Sequence, residues 1–204
     1  MLQWLRANGC PWHSATCTEA ADGGYLDVLL WARANGCPCD EKELCVAAEK
    51  GHEVMVRALI DLGAVVNKAM DTGATPLYVA AQNGHEAIVR TLFELGADVN
   101  KARDDVETPL YIAAQKGHEA VVRALIESGA DVNKAGDDGV TPLLIATHQG
   151  HDMVVRALME LGADVNKATD DGVTALSIAV REGHTAIVQI LRDAVLVQMQ
   201  HLSL

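Results

Sequence analysis

The chain predicts an all-α solenoid of antiparallel helix pairs, with short β-hairpin loops between units of 33 residues, and three periodic markers carry that prediction. Gly-His pairs end at His52, His85, His118, His151 and His184, each 33 residues after the last. The threonines Thr75, Thr108, Thr141 and Thr174 keep the same step, as do Asn67, Asn100, Asn133 and Asn166. Self-similarity at a fixed period of this size means one supersecondary unit that cannot bury its apolar face alone and stacks on copies of itself.

The unit can be read from Thr75 to Asn100. Thr75 is a good N-cap, Pro76 fits the first helical turn, where its missing N–H costs nothing, and Gly84 can take the positive φ that ends a helix. Leu77, Ala80 and Ala81 fall on one face, and the alanines let a partner helix approach closely. A second helix starts at His85, with Glu86 in its first turn, where the helix dipole favours an anion. Ile88, Val89, Leu92 and Phe93 form its expected buried stripe, and Gly96 ends it. Between units, Asp137-Asp138-Gly139 shows the chemistry of a tight hairpin turn. Each unit is hairpin, helix, turn, helix.

The Thr-Pro-Leu opening, Ala-Ala, Gly-His, Ile-Val or Val-Val, and Gly-Ala-Asp-Val-Asn recur in place from about residue 67 to 191, and on these motifs the chain resembles the ankyrin repeat family. It departs from the family pattern where Tyr78, Tyr111, Leu144 and Ser177 stand in place of the usual His after Thr-Pro-Leu. Ala175 replaces the proline, a mild change. Val106 replaces the turn glycine kept at Gly73, Gly139 and Gly172. A valine at positive φ costs about 1–2 kcal/mol, so the hairpin at Asp104–Glu107 is expected to change turn type.

A second, shorter period precedes the first. Leu2–Pro11 returns at Leu29–Pro38 with a step of 27, and Ala20-Ala21 with Gly24 return as Ala47-Ala48 with Gly51 at the same step. The missing residues fall between a second helix and the next first helix, where the hairpin belongs. Residues 1–66 are therefore expected to form helix pairs without a projecting hairpin, similar to degenerate ankyrin repeats. Residues 67–204 should hold four ankyrin repeats and a C-terminal capping helix, all in one continuous solenoid. Asp40 with Glu43 reads as a capping box, and Leu2–Asn8 as a second helix without a first. After Leu191 nothing stops the last helix, which is expected to continue to about Gln200.

The formal charge of −12, without any cluster of Lys and Arg, argues against a nucleic-acid partner, since such binders neutralise phosphates with grouped cations. The doublets Asp104-Asp105, Asp137-Asp138 and Asp170-Asp171 should form an acidic strip on successive hairpin tips, suited to a partner with a basic surface. No apolar run approaches the roughly 18 residues needed to span a bilayer, and the N-terminal stretch lacks the apolar centre of a signal peptide. Five cysteines, Cys10, Cys17, Cys37, Cys39 and Cys45, are odd in number and fit reduced thiols. The expected setting is intracellular, cytoplasmic or nuclear, with no membrane partner, and the expected state is a monomer.

Cys37 and Cys39 with Cys10, Cys45 and His13 supply the ligand types zinc takes, and an alternative reading makes the protein metal- or redox-responsive through these cysteines. Geometry weighs against a shared metal. Cys10 and Cys37 hold equivalent places in neighbouring units, about 8–10 Å apart, beyond the ~7 Å Cα reach of a disulfide. The five periodic histidines point the same way, one unit apart, so their expected role is structural. No nucleophile with base and orienting group recurs, and phosphate loops and dinucleotide fingerprints are absent from the sequence. No catalysis, cofactor or metal is expected.

What varies while the frame repeats is the candidate binding surface: Met70, Thr72, Tyr78, Gln82 and Asn83 in one unit, then Arg103, Asp105, Glu107, Tyr111, Gln115 and Lys116 in the next. The following units supply Asp138, Leu144, His148 and Gln149, then Asp171, Arg181 and Glu182. In the family this chain resembles, those places line the concave face and hairpin tips that grip a protein partner. Tyr78 and Tyr111, amphipathic rings one unit apart, are the expected anchors. The resemblance also places Asn100, Asn133 and Asn166 in a context like that recognised by asparaginyl hydroxylases, although turn organisation is the expected role of all three.

Overall fold

The computed structural model describes residues 14–37, 42–104 and 106–201. Among the described residues six helix pairs follow one another: α1 (Ser14–Asp22) with α2 (Leu26–Ala34), α3 (Lys42–Lys50) with α4 (Glu53–Asp61), and α5 (Pro76–Gln82) with α6 (Glu86–Glu94). Then come α7 (Pro109–Lys116) with α8 (Glu119–Glu127), α9 (Pro142–Gln149) with α10 (Asp152–Glu160), and α11 (Ala175–Glu182) with α12 (Thr185–His201). First helices pack in one layer, α1 on α3 and so on to α11, while α4, α6, α8, α10 and α12 pack in a second. Among the described residues no strand forms. The hairpins close through isolated bridges, Arg103 with Glu107 and Ala168 with Thr174.

Local chemistry explains the boundaries. The hydroxyls of Thr75, Thr108 and Thr141 accept from the backbone N–H three residues on, each followed by a proline at the helix start. Where Ala175 replaces that proline, Ser177 compensates by reciprocating with Thr174 in a capping box. The alanine pairs at 80–81 and 113–114 are fully buried, and so let first helices approach closely. On the second helix, Ile88, Val89 and Leu92 are buried as their spacing requires. Phe93 is a correction: it is 43 % exposed, and Thr91 takes the fourth buried place. The wider stripe would be needed only if the outer side of the second layer were covered, and here it faces outward.

Neighbouring units are bonded through the periodic residues. The Nε2 atoms of His52, His85, His118, His151 and His184 lie 2.8–3.2 Å from carbonyl oxygens at the C-terminal ends of the preceding first helices, Asp22, Glu49, Gln82, Gln115 and His148. A carbonyl can only accept, so Nε2 carries the proton in each bond. The ring thereby answers one of the carbonyls that a helix end leaves unpaired. Gly84 shows why glycine precedes each histidine: its φ is +79°, and a Cβ there would meet the His118 ring at 2.9 Å. Asn67, Asn100 and Asn133 clasp the next unit, each oxygen accepting from the N–H of Asp98, Asp131 or Asp164 and each amide reaching a glycine carbonyl. These asparagines organise the turns.

The glycine-less hairpin does change its turn. Positive φ sits at Gly73, at Asp138 with Gly139, and at Gly172 in the other hairpins, but at Asp104 (φ +51°) in this one, and Val106 avoids the strained conformation. The last helix continues to His201, past the place where its counterparts stop. Asp40 of the expected capping box and the helix at Leu2–Asn8 lie outside the described residues.

Candidate partner-binding groove

The first helices and the hairpins meet along one side of the stack, and the side chains there decide whether the seam between units is filled or open. Around Tyr78 it is filled. Tyr78 is 1 % exposed, its hydroxyl donates to Glu107 at 2.7 Å, Arg103 pairs with Glu107 at 2.8 Å, and the Arg103 guanidinium lies 5.2 Å from the ring centre. Burial first, then the Glu107 bond, pushes the Tyr78 phenol well above its ordinary value, so it stays protonated and donating. Tyr78, expected as an anchor, fills the seam, with Arg103 and Glu107 packed over it. Leu144 is 1 % exposed and lies in the floor of the groove described next.

One and two units further on the seam is open. A groove of about 310 Å³ is lined by Tyr111, Val140, Leu144, Ile145, Val173 and Ile178, with Asp138 and Asp171 from the hairpins and His148 and Arg181 from the last turns of α9 and α11. The reason is in the side chains at the hairpin base. The positions of Arg103 and Glu107 are held here by Gly136 and Val140, which are too short to fold over the Tyr111 ring, and then by Thr169 and Val173, also short. Tyr111 is consequently half-buried and lines the groove, and burial together with the Glu107 charge raises its phenol.

The charges around this groove are unequal. At the helix end, Glu182 sits 2.9 Å from Arg181 and 3.6 Å from His148, and the Arg181 hydrogen bond holds its carboxyl below the ordinary value. The basic rim is thus largely answered from within. At the hairpin end, Asp138 and Asp171 are exposed, and among the described residues no basic side chain pairs with either. The two tips are held together by a bond from the Asp170 N–H to the Asp138 carbonyl at 3.0 Å, so the acidic strip is a fixed feature of adjacent hairpins.

The remaining candidate positions are more scattered. Thr72, Asn83, Lys116 and Gln149 are exposed, and Met70, Gln82 and Gln115 are half-buried with the backbone carbonyls of Gln82 and Gln115 already bonded to histidines. Asp105 lies outside the described residues, as do Cys10, Cys39 and His13 of the alternative metal site. Among the described residues no three His, Cys, Asp or Glu side chains gather as ligands of one ion. No described helix is long and apolar enough to cross a membrane.

One feature escaped the reading of the sequence. Arg57, Arg90 and Arg123 each bridge a glutamate four residues earlier and another on the next second helix: Glu53 and Glu94, Glu86 and Glu127, Glu119 and Glu160. The signal was present in the shared step of 33 residues between those arginines and between their partners. Exposed pairs of this kind contribute little each, about 0–1 kcal/mol.

A family model of ankyrin repeats (3 copies) matches residues 18–103 and 110–199. The chain belongs to the ankyrin-repeat family. A search of curated proteins returned no match. Ankyrin repeats are in general protein–protein interaction modules and typically serve as non-enzymatic scaffolds. The open groove lies within the second matched stretch, on the surface formed by first helices and hairpins.

Proposed function

We propose that this ankyrin-repeat chain is a non-enzymatic binding module that grips another protein in the groove between Tyr111 and Arg181, with the acidic hairpin tips facing a basic part of the partner. The observation that supports it is the convergence of Tyr111, Asp138, His148, Asp171 and Arg181 on one apolar-floored groove. An apolar floor supplies area to desolvate, a half-buried tyrosine supplies an amphipathic anchor, and unpaired carboxylates on the rim steer and orient a cationic segment. The module works as a monomer inside the cell, in the cytoplasm or nucleus, without cofactor. The frame of two short helix pairs before residue 67 and four full repeats after it acts as one support.

The test is affinity capture followed by mass spectrometry, with the unaltered protein run beside Tyr111→Ala and beside Asp138→Lys combined with Asp171→Lys. A protein retained by the parent and lost by both variants, at unchanged helical circular dichroism, supports the groove. Retention by both variants sinks it.

A further inference from the structure

Away from the groove, two of the cysteines have come together. Cys17 lies inside α1 and is fully buried, while Cys37 follows the turn that closes α2, where its N–H bonds back to the Ala32 carbonyl. The two sulfurs are 3.3 Å apart. A disulfide needs roughly 2.05 Å, so closing this one asks for an approach of about 1.3 Å between side chains on adjacent elements of the same helix pair. Cys45 is placed otherwise, with its sulfur 3.9 Å from the Lys68 carbonyl and 4.0 Å from that of Ala74, and burial, assisted by the nearby Glu49 charge, pushes its thiol up to about 12. It neither reaches the pair nor ionises readily. The near approach of Cys17 to Cys37 has no counterpart in the spacing argument applied to Cys10, because the partners sit within one unit and not in equivalent places of two.

We propose that Cys17 and Cys37 are an oxidation site that closes to a reversible disulfide on meeting a small hydroperoxide such as hydrogen peroxide. Cys37, the less deeply buried of the two, attacks the O–O bond as its thiolate, forming a sulfenic acid and releasing water once the leaving hydroxide takes up the thiol proton. The Cys17 sulfur then attacks that sulfur, the S–O bond breaks, and a second water leaves carrying the Cys17 proton. Two thiols and one peroxide become one disulfide and two waters, and the two electrons lost by the sulfurs reduce the O–O bond. A dithiol reverses the change by exchange. The bond spans 20 residues and ties α1 to the end of α2. It constrains a helix pair that packs on the stack through α1 on α3 and through the His52 and Lys50 contacts to Asp22.

The experiment uses the full chain. Protein treated with hydrogen peroxide is alkylated, digested and mapped by mass spectrometry, and hydrogen exchange is compared before and after treatment and again after dithiothreitol. The expected result is a peptide pair joined through Cys17 and Cys37, lighter by two hydrogens and restored by dithiothreitol. Amides in residues 14–37 should exchange about tenfold more slowly, or slower still, in the oxidised form, as expected when a cross-link closes a loop of this size. Cys17→Ala and Cys37→Ala should each abolish both changes while leaving the exchange of residues 76–191 as in the parent. Both cysteines remaining alkylatable, a bond from either to Cys10 or Cys39 instead, or oxidation stopping at a sulfinic acid would each overturn the proposal. Binding at the groove is untouched by any of these outcomes.

Discussion

Tyr78 and Tyr111 occupy the same place in successive repeats and have opposite fates. The first is sealed beneath Arg103 and Glu107, and the second stands half-open beside Gly136 and Val140. The helices, caps and histidine bonds beneath the two are alike, so the difference is made by two side chains at the base of the following hairpin. A repeat scaffold can thus open or close its seam one unit at a time without disturbing its core. The closed seam also has a second use. It anchors the one hairpin that has lost its glycine, holding Arg103 and Glu107 in the bridge that the altered turn requires.

That comparison can be broken at several points. The largest effect is expected from Tyr78→Ala, which empties a fully buried aromatic site and leaves Glu107 with Arg103 alone; about 3–5 kcal/mol of stability should be lost in urea denaturation. The same truncation at Tyr111, half-buried over a groove, should cost well under half of that while weakening partner capture. If the two losses are equal, the two seams do not differ in how far they bury their tyrosine.

Opening the closed seam comes next. Arg103→Gly with Glu107→Val copies the following hairpin onto this one, removes a charge-assisted bond to the Tyr78 hydroxyl, and should cost about 1.5–3 kcal/mol. Tyr78 should then become reactive toward a phenol-nitrating reagent. The converse pair, Gly136→Arg with Val140→Glu, should leave the melting point nearly unchanged, protect Tyr111 from that reagent and abolish partner capture. Gly136 has a negative φ of −82°, so its backbone accepts a side chain, although a Cβ would sit 3.3 Å from the Val106 carbonyl and need a small shift.

The smallest expected effect is on pH dependence. The Tyr78 phenol is raised above its ordinary value of 10.0 in the fold, so the native state holds its proton longer than the unfolded chain does. Its contribution is full below about pH 10 and is lost as pH rises beyond that toward the native value. Melting measured from pH 9 to 11 should therefore fall less steeply for Tyr78→Phe than for the parent. An unchanged slope would mean that neither burial nor Glu107 raises the phenol in the fold.

Much of this molecule was legible in order of residues alone. The period came from Gly-His, Thr and Asn markers, and each marker proved to be a bond between units or a helix cap. The turn change at Val106 followed from the cost of positive φ at a branched residue. Less was legible where two elements meet. Phe93 continues the apolar spacing of its helix, yet faces outward, because spacing gives a direction and not what lies in that direction. Tyr78 and Tyr111 are identical in local sequence, Pro-Leu-Tyr, and only the hairpin some 25 to 29 residues later separates them. Cys17 and Cys37 carry no common motif, and their approach depends on how one helix lies against the turn after the next.

By itself the sequence determined the repeating unit, its helix ends and the contacts that recur from unit to unit, because those depend on short-range sterics and on bonds made the same way at every step. The tertiary structure alone decided which seam is filled, which ring is left for a partner and which thiols touch. These turn on the particular side chains that two distant stretches bring to one place, and no period records them.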